Sequence, residues 1–83
     1  LGAKMCVECT WGSDIVTAAA LHLGAATPPN RLLNVCDLSG YVSPRLAPDA
    51  PIRAHGRIAP PDDPGLGITI DEGRLGTPDL ILD

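Results

Sequence analysis

Eighty-three residues with a formal net charge of −4, only Trp11 and Tyr41 as aromatic side chains, nine Gly and nine Pro allow one small domain with a thin core. A chain this short buries only roughly 60–65% of its unfolded surface. Its six basic residues are scattered, which excludes an electrostatic footprint for nucleic acid or an anionic membrane. No apolar run approaches a bilayer span and no basic-plus-apolar leader is visible, so a soluble, cytoplasmic setting is expected. Three cysteines, an odd number, argue for reduced thiols over a disulfide framework. The chain starts at Leu1 and enters strand-like sequence almost at once, as part of a larger protein would.

In chain order, residues 4–10 (KMCVECT) read as a short strand that stops at Trp11-Gly12-Ser13-Asp14, a cluster that ends strands and begins helices. Ser13 and Asp14 are the N-cap candidates. A helix is expected over 14–24, with Ile15, Ala18, Ala19 and His22 beside Val16, Ala20 and Leu23 on neighbouring stripes, and Gly24 as its stop. Thr27-Pro28-Pro29-Asn30-Arg31 is a loop. Residues 32–36 (LLNVC) form a second strand, apolar enough for burial on both faces. Strand, helix and strand within about 33 residues fit a right-handed βαβ crossover, which makes the strands parallel and opens both carboxyl ends on one side. Ligands are met at such strand ends.

From Leu38 to Pro51, Pro and Gly punctuate a wandering connection. Ile52–Ile58 suggests a small hairpin turning at His55-Gly56. Ala59–Gly67 is a proline-rich loop, Ile68-Thr69-Ile70 a short strand, and Asp71–Gly76 one helical turn before an apolar tail. The expected organisation is a barrel-like portion over 1–51 and a dependent arm over 52–83.

Trp11, Asp14 and Asp37 are the candidate substrate-binding residues. Trp11 follows a strand and can stack on a ligand or a cation, or plug a strand end. Asp14 can cap the helix or reach a ligand. Asp37 ends the second strand and can serve acid-base or substrate-orienting roles, or start a turn over Ser39-Gly40. Glu8, inside an apolar strand, would need a polar centre or a cation. Cys6, Cys9, His22 and Cys36 make a nominal zinc set, but zinc sites want paired ligands on tight turns, and Cys6 and Cys9 on a strand point to opposite faces. Buried small side chains are the plainer reading. His22 suits packing within the helix, and His55 a solvated turn. Pro64-Gly65-Leu66-Gly67 lacks the Lys and the strand-to-helix setting of a phosphate loop.

Asp14–Pro29 with its AAxLHLxAATP helix, then Asp37 and Gly40-Tyr41-Val42, then Gly56–Asp62 and the PDxPGLGI loop ending at Ile68, resemble the C-terminal end of the mandelate racemase and muconate lactonizing group of the enolase superfamily. The resemblance implies an α/β fold. Residues 4–10 would be the seventh strand of a modified (β/α) barrel, 14–25 its helix and 32–36 the eighth strand, with the arm returning to an α+β capping domain. It also implies removal of the proton α to a carboxylate, with Mg²⁺ stabilising the intermediate. The metal ligands and catalytic bases would lie upstream of this chain, and Lys4 is at the wrong end of its strand to replace a base.

By the same resemblance, Asp37 and the loop Thr10-Trp11-Gly12-Ser13-Asp14 would face substrate. TWGSD is similar to the loop of branches acting on hydroxyproline-like or betaine-like acids. The expected parent is a homo-oligomeric racemase, epimerase, dehydratase or cycloisomerase of a carboxylic acid, with the isolated chain inactive. A small non-catalytic interaction module, which would unfold cooperatively by itself, and a zinc module, which would lose its fold to a chelator, are the rivals.

Overall fold

The computed structural model describes residues 2–41 and 45–82; Val42 of the motif above, with Ser43 and Pro44 of the connection, lies outside them. Strand β1 (Met5–Val7), helix α1 (Ser13–Ala26), strand β2 (Leu32–Val35), a 3₁₀ turn (Leu38–Tyr41) and the single-turn helix α2 (Glu72–Leu75) follow in order. β1 and β2 pair in parallel, with Met5 opposite Leu32, Cys6 opposite Asn34 and Val7 opposite Val35, and the register shifts between Met5 and Cys6. The Met5 N–H donates to the Arg31 carbonyl at 2.7 Å and the Cys36 N–H to the Val7 carbonyl at 2.7 Å. The βαβ unit expected from the sequence is present.

Its boundaries differ from the expected ones for local reasons. The first strand ends at Val7, not at residue 10, because the chain turns at once: the Gly12 N–H closes on the Cys9 carbonyl at 3.2 Å. The helix is capped by Gly12 without a side-chain cap bond, so neither Ser13 nor Asp14 plays the expected capping role. Val16 lies where a Cβ on residue 12 would go, and only glycine admits that approach. Gly24 does not stop the helix. It is buried where an added Cβ would collide with the Val35 side chain, so it lets α1 settle on β2. The helix runs on to Ala26, where the Thr27 N–H reaches the Gly24 carbonyl at 3.1 Å, the Thr27 hydroxyl reaches the Leu23 carbonyl at 2.8 Å, and two prolines forbid continuation.

The buried face of α1 is Asp14, Thr17, Ala18, Ala20, Leu21 and Gly24, a helical stripe shifted from the one expected. Ala19 and Leu23 are exposed, and two polar residues take their place inside. Val7, Cys9, Ala47 and Ala50 complete a core of small side chains. Leu33 is 61% exposed, so β2 is not covered on both faces by the described residues.

In the second half, the Ala54–Arg57 bridge forms the expected small hairpin about exposed His55 and Gly56. Residues 68–70 are not a strand, because their partner is a side chain: the Thr69 N–H donates to the Asp49 carboxylate at 2.9 and 3.1 Å. The stretch 45–51 is held by residues 69–74, with the Asp71 N–H on the Leu46 carbonyl at 2.7 Å and the Arg74 guanidinium on the Arg45 carbonyl at 2.5 Å. α2 is the expected single turn, with Asp71 accepting from the Gly73 N–H at 3.1 Å. Leu80, Ile81 and Leu82 are exposed.

Candidate active-site loops

The loop after β1 is under strain. Cys9 to Gly12 is a turn whose two central residues, Thr10 and Trp11, have φ of 50° and 64°, and Ser13 follows at 66°. Positive φ at both centres belongs to the mirror-image turns that favour Asn and Gly, so a β-branched Thr and a bulky Trp here are costly. Such positions cost of order 1–3 kcal/mol each and persist only where the surroundings over-determine them. The result is a Trp11 side chain held outward, 59% exposed, rather than packed into the strand end.

The loop after β2 supplies those surroundings. Asp37 is half-buried at the entrance to the 3₁₀ turn, and its carboxylate lies over Gly40, 2.9 Å from where a Cβ would stand, as a turn-starting Asp would. The Leu38 N–H donates to the Cys9 sulfur at 3.1 Å, and the Ser39 hydroxyl donates to the Ser13 carbonyl at 3.0 Å. Cys9 is fully buried and Ser39 is 3% exposed. Parallel pairing and these bonds bring the Asp37 and Trp11 loops to one end of the sheet. Burial pushes the Cys9 thiol up, but hydrogen bonds led by the N–H groups of Trp11, Leu38 and Ser39 outweigh it and hold the thiol below its ordinary value.

Asp14 is held by partners within the chain. It is 3% exposed, paired with Arg45 through two guanidinium nitrogens, and accepts the Ala47 N–H at 3.0 Å. Burial raises its carboxyl, yet the Arg45 hydrogen bonds, the Ala47 N–H and the Arg45 charge together keep it below the usual carboxylate range. Arg45 also reaches the Pro51 carbonyl at 3.3 Å. Ser39 carries no signal in the sequence read alone, and Arg45 only a faint one. An acid in the first turn of a helix with one arginine in a proline-rich connection was the available hint.

The remaining candidates separate. Glu8 lies just beyond β1 and is exposed, so it needs no buried partner. Cys6 is exposed, Cys9 buried and Cys36 between the two; Cys6 lies on β1 and Cys9 in the turn beyond it. Burial first, then the Glu8 charge, raises the Cys36 thiol. The His22 ring nitrogen Nε2 is 3.0 Å from the Leu66 carbonyl, a satisfied histidine that ties α1 to the proline-rich loop. Among the described residues, no three His, Cys, Asp or Glu side chains converge to hold a metal ion. No helix of the described residues is long and apolar enough to cross a membrane.

A helix crossing between parallel strands, with its polar loops gathered at the strands' carboxyl end, is the repeating unit of (β/α) barrels. Comparison with known proteins gives the family: the model of the enolase C-terminal domain-like family matches residues 1–74, and the chain belongs to it. It is 44% identical over 77 residues to a cis-3-hydroxy-L-proline dehydratase of Roseibium aggregatum, covering 93% of this chain and 21% of that protein. It also superposes on a mandelate racemase/muconate lactonizing enzyme from Roseovarius nubinhibens ISM with a TM-score of 0.80 and 36% identity, covering 93% of this chain and 21% of that one. The chain thus spans about a fifth of the length of these relatives. The mandelate racemase group expected from the sequence is borne out.

Proposed function

We propose that this chain is the substrate-facing C-terminal segment of an enzyme that removes the proton α to a carboxylate, with a cyclic hydroxy amino acid of the 3-hydroxyproline class as substrate and dehydration as the outcome. In that reaction the α-proton and the β-hydroxyl leave together as one water. The observation that carries the reading is the outward Trp11 on a strained turn, 59% exposed, at the same sheet end as Asp37. An indole face beside a ring ammonium stabilises it by about 0.5–2 kcal/mol, and a carboxylate can accept its N–H. The 44% identity to a cis-3-hydroxy-L-proline dehydratase supports the same substrate class. Asp14, occupied by Arg45 and Ala47, is given a supporting role.

Enolase-superfamily members generally use Mg²⁺. The described residues offer no converging ligand set, so the ion and the catalytic bases are assigned to other parts of the whole enzyme, and this chain alone is expected to be inactive. The open edges of the β1–β2 pair and the exposed Leu80-Ile81-Leu82 tail suit the missing barrel strands and a capping domain as intramolecular partners.

The test is the whole enzyme with Mg²⁺ and cis-3-hydroxy-L-proline in D₂O, followed by proton NMR. Loss of the α-proton signal together with water elimination is expected. Retention of that signal, with this acid and with its stereoisomers and betaines, contradicts the reading.

A further inference from the structure

Two hydrogen bonds couple the loops that carry Trp11 and Asp37, and both end on residues that flank the strained turn. Leu38 N–H to Cys9 sulfur, at 3.1 Å, sits on its entrance, and Ser39 hydroxyl to Ser13 carbonyl, at 3.0 Å, sits on its exit. Between them lie the positive-φ residues Thr10 and Trp11. A turn of that kind relaxes unless its ends are fixed, and here both ends are fixed by the neighbouring loop. The donors are well placed for the task. A buried N–H must find an acceptor, and the acceptor it finds is the one fully buried side chain of the loop, Cys9.

We propose that Cys9 and Ser39 are positioning residues for substrate specificity: as a clasp between the two strand-end loops, they set the separation of the Trp11 indole and the Asp37 carboxylate. Neither touches the substrate. The clasp rests on the functional reading above, because it matters to specificity only if those loops face substrate. Its physical content is that ligand fit is decided by a sulfur acceptor and a hydroxyl donor beneath the loops, in addition to the groups on their surface.

The experiment uses the intact enzyme with Ser39→Ala, Cys9→Ala and Cys9→Ser, read by amide hydrogen exchange over residues 10–13 and 38–41, by steady-state kinetics and by melting. Ser39→Ala and Cys9→Ala are expected to speed exchange in both segments and to raise KM about tenfold, the worth of one net hydrogen bond. They should change kcat less and leave the melting temperature nearly in place. Cys9→Ser keeps an acceptor and should return exchange and KM toward the parent. Unchanged exchange in both alanine variants overturns the clasp, as does faster exchange with KM unmoved, or a KM rise that follows melting and is not recovered by serine. An enzyme inert toward hydroxyproline substrates would instead sink the functional reading, and the exchange measurement would still decide whether the loops are clasped.

Discussion

The strand-end loops and the C-terminal arm are held by different physics. Around residues 9–14, 37–41 and 45–47 the buried side chains are small, and order comes from directed polar bonds: Asp14 to Arg45 and Ala47, Leu38 to Cys9, Ser39 to Ser13. From residue 52 onward the chain is mostly exposed, ending in Leu80, Ile81 and Leu82 at 75%, 74% and 84% exposure, and is tied back by bonds at the surface such as Asp49 to Thr69 and His22 to Leu66. Strain is tolerated where the bonds are dense. Breaking the buried Asp14–Arg45 pair should therefore be expensive, and single substitutions in the arm nearly silent.

The largest effect is expected at Asp14. Asp14→Ala leaves Arg45 and the Ala47 N–H without an acceptor and should cost roughly 3 kcal/mol, the low end for breaking a buried pair, because Arg45 keeps 28% side-chain exposure. Urea midpoints check this. The depressed carboxyl of Asp14 gives the same result by pH: its stabilisation is complete above the unfolded carboxylate pKa of about 3.9 and is lost as pH falls through the lower folded value. Acid titration of the melting temperature should show a steeper fall below about pH 4 for the parent than for Asp14→Ala.

Smaller effects sharpen the contrast. Thr10→Asn suits φ of 50° better than a β-branched residue does and should stabilise by about 0.5–1 kcal/mol, measured as a rise in melting temperature. Thr17→Val removes a buried hydroxyl without a partner at nearly constant shape and should be neutral or stabilising by up to about 1 kcal/mol. His22→Ala, which gives up one exposed bond to Leu66, should stay within about 0.5 kcal/mol. A loss of several kcal/mol there would erase the distinction between loops and arm.

What was legible in the sequence follows the same division. The βαβ unit could be read because hydrophobic period and turn chemistry agree over residues 5–35, and the AAALHLGAATP and PDDPGLGI segments carried the family. The strand ends could not be read: β1 stops at Val7 because of a turn built from Thr and Trp, residues that no turn preference would select. The helix face was misplaced because Asp14 and Thr17 look solvent-facing by type and are buried; the partners of Asp14 lie far along the chain, at Arg45 and Ala47. Residues 68–70 have strand composition, yet the Asp49 carboxylate takes the Thr69 N–H that a neighbouring strand would have used.

We propose that the strained turn holds the Trp11 indole toward the substrate. The most direct test of this is Trp11→Ala in the whole enzyme, with kcat/KM for cis-3-hydroxy-L-proline and the melting temperature measured on the same preparation. The account predicts a fall in kcat/KM of about tenfold or more with melting unchanged or raised, since alanine at an exposed position forfeits little packing. A matched loss of both, or full activity without the indole, would return Trp11 to a packing role and contradict the account.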